Sequence, residues 1–108
     1  MENTILQMKL LHGLSNNIRY NILMILKDGE QNVSDLVKIV GGSQSVVSQH
    51  LACLRDCGLI VKRTEGKFYF YRLTTFKIIK ILDLLNETIN DFHWDEEFEV
   101  VKCHHHID

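Results

Sequence analysis

The sequence predicts a mainly α-helical domain with one β-hairpin, and three observations predict it. Five stretches repeat apolar residues at helical spacing. One stretch, "LIVKRTEGKFYFYRL", switches to period two and to β-branched and aromatic residues. Glycines and short polar residues fall between these stretches, and proline is absent throughout.

Residues 3–12 read as a first helix through Ile5, Leu6, Met8, Leu10 and Leu11. "LSNNIRYNILMILKDGE" reads as a second, with Ser15 or Asn16 as its cap, because a short side-chain oxygen accepts the open N–H groups of a first turn. Ile18, Ile22, Ile25 and Leu26 recur at helical spacing, and Gly29 stops the run. "NVSDLVKIVGG" is a short third helix capped by Asn32, with Asp35 well placed near its N-terminus. "SQSVVSQHLACLRDCG" is a fourth, capped by Ser43, ended by Gly58 and packed through Val47, Leu51 and Leu54. The period-two stretch makes two strands with a turn expected at Glu65-Gly66. "TFKIIKILDLLNETINDF" is a long fifth helix, with Ile78, Leu82, Leu85, Ile89 and Phe92 in one stripe that Ile79, Ile81 and Leu84 widen.

Two short helices around a tight turn, followed by a hairpin, make a winged helix-turn-helix. The terminal helices carry more apolar surface than a 108-residue monomer can hide, so a homodimer through them is expected. Residues 1–94 read as the DNA-binding and dimerisation domain, and residues 95–108 as a mobile acidic tail containing Cys and His.

Composition narrows the function. The net charge of -2 conceals an asymmetry. Residues 1–82 hold eleven Lys and Arg against six Asp and Glu, whereas residues 83–108 hold one against eight. No apolar run approaches the length of a membrane span, and the N-terminus lacks a signal-peptide pattern, so a cytoplasmic protein is expected. Three cysteines, an odd number, argue against a disulfide framework and leave free thiols or metal ligands.

The fourth helix opens with Ser43, Gln44, Ser45, Ser48, Gln49 and His50. Its first two turns are the part of a recognition helix that enters the major groove, where Gln bonds adenine and Ser bonds bases or phosphates. Arg63 and Lys67 flank the hairpin turn, where a wing meets backbone phosphate. Arg19 is either another phosphate contact or a surface or interdomain ion pair. A two-fold dimer would read two half-sites of an inverted repeat in double-stranded DNA. His50 and Cys53 share a helix, but nothing suggests a substrate pocket, so an enzyme is not expected.

"LSNNIRYNILMILKDGE", "SQSVVSQHLACLRDCGLI" and "EGKFYFYRL" resemble, in order and spacing, the second helix, recognition helix and wing of the ArsR/SmtB family of metal-responsive repressors. The resemblance spans roughly residues 10–85; Asn17 departs from it, standing where the family usually has proline. It implies an operator-binding repressor, with the regulated gene a neighbouring efflux pump. The family's arsenic-type "CVCDL" motif is replaced by "NVSDL", so Val33 and Ser34 stand where thiols would be. The zinc-type Asp-x-His positions hold Thr75 and Lys77, with Thr88 and Asp91 further along. Asp91, His93 and His104 repeat the zinc-type spacing about four turns too late, a chance match.

"CLRDC" remains. Cys53 and Cys57, with Cys103 in the tail, are similar to the ligands of the mycobacterial-type cadmium/lead sensors of this family. Residues four apart on a helix have Cβ atoms about 5–6 Å apart, so two thiolates can converge on one large soft ion, Cd(II) or Pb(II). As(III), which takes three thiolates, Zn(II), which wants a fourth ligand, and a thiol redox switch remain alternatives. His104, His105 and His106 are a further nitrogen donor, a plain polar tail or a tag remnant. The alternative for the helix thiols is that of small buried hydrophobes, yet both lie off the core stripe, in line with Val46 and His50.

Overall fold

The computed structural model describes residues 2–92. Its order is α1 (Glu2–Leu14), α2 (Asn17–Leu26), β1 (Gln31–Asn32), α3 (Val33–Val40), α4 (Gln44–Asp56), β2 (Ile60–Glu65), β3 (Phe68–Leu73) and α5 (Lys77–Asn90). The winged helix-turn-helix is therefore realised, with α3 and α4 as the helix pair and β2–β3 as the wing.

Local chemistry sets the boundaries. Asn16 caps α2 by accepting from the Arg19 N–H at 3.0 Å. Asn32 and Ser43 do the same for α3 and α4, accepting from Asp35 at 2.8 Å and Val46 at 3.2 Å. Helix α4 ends in a Schellman motif. The Leu59 N–H reaches the Leu54 carbonyl, the Gly58 N–H reaches Arg55, and Gly58 takes a φ of 84°. Its flanking leucines, Leu54 and Leu59, are both buried, which fixes how β2 leaves the helix.

The wing differs from expectation by one residue. Its turn is Gly66-Lys67, because Glu65 pairs with Phe68. Gly66 has a φ of 61° at the first central position, the place where a type II′ turn requires glycine. Two-residue β1 was not anticipated, being too short to carry a periodic signal. It pairs antiparallel with β3, placing β3 at the centre of a three-stranded sheet.

The core joins α2, α3, α4, the sheet and the start of α5 through Ile22, Leu23, Leu26, Leu36, Val47, Leu51, Leu54, Leu59, Ile60, Tyr71, Leu73, Ile78 and Leu82. The fifth-helix stripe is buried only in its first half. Beyond Leu82 its members Leu85, Ile89 and Phe92 are exposed, as is Leu84. Helix α1 likewise exposes Ile5, Leu6, Met8 and Leu11. An ion pair of 2.7 Å from Lys27 to Asp83 ties α2 to α5. No helix among the described residues is long and apolar enough to cross a membrane.

Candidate nucleic-acid interface and thiol pair

Helix α4 is fixed from below by Val47, Leu51 and Leu54, each at most 1% exposed. Its opposite face presents Gln44, Ser45, Ser48 and Gln49, with Ser43 exposed at its cap. Val46 stands beside them at 41% exposure, an apolar member that the sequence reading had grouped with the thiols. His50 is set apart: it is half-buried, and its Nδ1 lies 3.4 Å from Arg19 Nη1.

Arg19 forms no ion pair among the described residues and turns instead to backbone carbonyls. It is 8% exposed. Its Nη2 donates to the His12 carbonyl at 2.8 Å and its Nε to the Gly13 carbonyl at 3.1 Å. The guanidinium thus closes the C-terminus of α1, where carbonyls lack helical partners. Arg19 offers only donors, so His50 meets it through a lone pair on Nδ1. Burial first, and then the Arg19 charge, push the His50 pKa below its ordinary value.

On the wing, Arg63 is held by carboxylates. It bonds Glu30 at 2.7 and 3.1 Å and Glu65 at 2.7 Å, and lies over the Phe70 ring. The bond to Glu30 and then that to Glu65 raise its pKa, while Arg63 lowers that of Glu30. Lys62 covers Tyr69, 4.1 Å from the ring centre. Lys67 stands exposed in the turn.

Cys53 and Cys57 are free and half-buried, on the flank of α4 that the sequence assigns them. Both also lie within one backbone turn, the Cys57 N–H donating to the Cys53 carbonyl at 3.0 Å. Burial raises the Cys57 pKa most, followed by the charge and hydrogen bond of Cys53, against smaller lowering by Lys9 and Arg19. Gly13 covers Cys57 closely: a Cβ there would stand 3.3 Å from Cys57 Cβ and 2.5 Å from Leu59 Cδ1. The thiols supply two adjoining donors, and among the described residues no three His, Cys, Asp or Glu side chains gather as a metal site. Cys103 and His104, His105 and His106 lie outside the described residues.

A profile of bacterial regulatory proteins of the arsR family matches residues 16–62, from the cap of α2 into β2. The transcriptional activator HlyU of Vibrio cholerae is 39% identical over 77 residues, 71% of each chain. The chain belongs to the arsR family. A solved structure of HlyU from the same organism superimposes with a TM-score of 0.73 at 36% identity, covering 80% of this chain and 94% of that one. The regulator CmtR of Mycobacterium tuberculosis is 35% identical over 77 residues, 71% of this chain and 65% of that one. A solution structure described as a homodimeric winged helix-turn-helix DNA-binding domain, from Mycobacterium bovis, shares the fold with a TM-score of 0.77 at 24% identity, covering 87% of this chain and 86% of that one. These arsR relatives are regulators of transcription, and this one is not an enzyme. In this arsR protein Val33 and Ser34 form the first turn of α3, which therefore brings no sulfur.

Proposed function

We propose that this arsR protein is a transcriptional repressor that binds an inverted-repeat operator as a homodimer and releases it when a soft metal ion, Cd(II) or Pb(II), engages Cys53, Cys57 and Cys103. The observation that carries this reading is the adjoining, half-buried thiol pair at the end of the helix whose exposed face presents Gln44, Ser45, Ser48 and Gln49.

Ser43, Gln44, Ser45, Ser48 and Gln49 meet the major groove, and Val46 suits the thymine methyl group. Lys67 meets phosphate directly, whereas Arg63 must exchange Glu30 and Glu65 for phosphate. His50 acts on DNA through its packing. Residues 1–94 form the DNA-binding and dimerisation domain, and residues 95–108 a tail that brings the third sulfur. The exposed apolar faces of α1 and α5 support the homodimer. A bound soft cation supplies charge that takes up thiolate in place of the thiol protons. The protein's part is to hold two sulfurs side by side and to offer Cys103 from the tail. Operator and metal then oppose each other by one shared coupling energy.

As(III) is served by the same three sulfurs, and Zn(II) adds a histidine of the tail. A redox switch through the same thiols is a further alternative.

The test is a Cd(II) titration of the reduced protein followed by thiolate-to-metal absorption. One metal per protomer is expected, lost in Cys53→Ser and Cys57→Ser and altered in Cys103→Ser. A band indifferent to Cys53 and Cys57 would sink the reading.

A further inference from the structure

We propose that Arg19 and His50 form the link through which the thiol pair on α4 reaches helix α1; the inference rests on the thiol pair being the effector site.

Helix α4 is continuous from Gln44 to Asp56 and Cys57 caps it through the Cys53 carbonyl, so the thiols and the exposed polar residues move together. A change at the sulfurs alters DNA contact only by moving α4 against another element. The element lying on Cys57 is the end of α1. Gly13 packs on Cys57 so closely that a methyl group would lie 3.5 Å from the sulfur and would strike Leu59. Rearrangement at that sulfur therefore presses first on the Gly13 backbone.

Gly13 is also where Arg19 holds on. Its Nε and Nη2 bond the carbonyls of Gly13 and His12, and its Nη1 faces His50 Nδ1. His50 lies one turn before Cys53 on the same flank of α4. The end of α1 is thus fastened to α4 twice, by contact at Cys57 and through Arg19 at His50. Through these two contacts a shift of the end of α1 is passed to α4. Burial first, and then the Arg19 charge, lower the His50 pKa, which favours the neutral ring whose lone pair Arg19 needs. Beyond the fastening, α1 carries the exposed Ile5, Leu6, Met8 and Leu11, so its displacement would change how a second copy sits.

The test compares wild type, His50→Leu and His50→Asn. Asn places an oxygen near the position of Nδ1 and keeps the acceptor; Leu removes it. Each protein is titrated with Cd(II), its affinity for a duplex selected from a random pool is measured with and without Cd(II), and amide hydrogen exchange is followed over α1. Wild type should lose about tenfold or more in duplex affinity, within the range of ordinary allosteric coupling. His50→Leu should keep the thiolate band while both the affinity loss and the α1 exchange response disappear. His50→Asn should restore both. A full response in His50→Leu, or its loss in both variants alike, would overturn the link. Absence of the thiolate band in wild type, or a band without loss of affinity, would instead overturn the proposed function, and this inference with it.

Discussion

Helices α4 and α5 are alike in length, 13 and 14 residues, yet they are used differently. Helix α4 places Val47, Leu51 and Leu54 wholly inside and leaves a polar face outside. Helix α5 buries Ile78 and Leu82, then leaves Leu84 at 60% exposure with Leu85 and Ile89 open beside it. One helix is complete within the chain. The other is left uncovered in its second half by the described residues, and the difference separates residues that hold the fold from residues available to an assembly.

The largest way to break this comparison is Leu51→Ala. It removes a fully buried side chain from the middle of α4 and should cost about 2–5 kcal/mol in denaturant unfolding. Gly13→Ala comes next. The added carbon meets Leu59 Cδ1 at 2.5 Å, and overpacking of this kind costs about 1–3 kcal/mol. It should also disturb the ultraviolet signature of Cd(II) at Cys57, whereas a substitution on the open face of α4 should not.

On α5 the expectation reverses. Leu85→Glu should leave the monomer folded, since the side chain is already 40% exposed, but weaken self-association by about tenfold or more, because a charge would be buried unpaired. Sedimentation velocity checks it; an unchanged dimer would mean that another face is used. The smallest effect concerns His50. Its folded pKa lies below its ordinary value, so its contribution is fully present above about pH 6.5 and is lost as pH falls through the folded value. Burial comes first among the causes and Arg19 second. Wild type should therefore lose more stability between about pH 7.5 and 5.5 than His50→Asn does. Equal losses would show that His50 does not titrate against Arg19.

Much of this architecture is legible locally. Asn32, Ser43 and Gly58 sit where capping rules require them, and Val47, Leu51 and Leu54 repeat at helical spacing. The flank holding Cys53 and Cys57 follows from the same wheel. The wing turn was misplaced because glycine alone does not say whether it stands first or second in a two-residue loop; the pairing of Glu65 with Phe68 decides it. Strand β1 is defined by its partner, not by its two residues. The clasp of Arg63 by Glu30 joins residues 33 apart, beyond any local pattern. Arg19 did leave a signal. It precedes Ile22, Leu23 and Leu26 on the buried face of α2, so a charge at that place needed internal partners. Their identity, two carbonyls ending the previous helix, needed the fold.

The central claim is that one helix both reads DNA and carries the thiols that govern the reading. The most direct measurement is the anisotropy of a labelled duplex, selected by the protein from a random pool, at fixed salt and with increasing Cd(II), for wild type and for Cys53→Ser/Cys57→Ser. The account predicts that Cd(II) releases the duplex from wild type, while the double variant binds it and holds it at every Cd(II) concentration. Release from both proteins alike, or from neither, would contradict it.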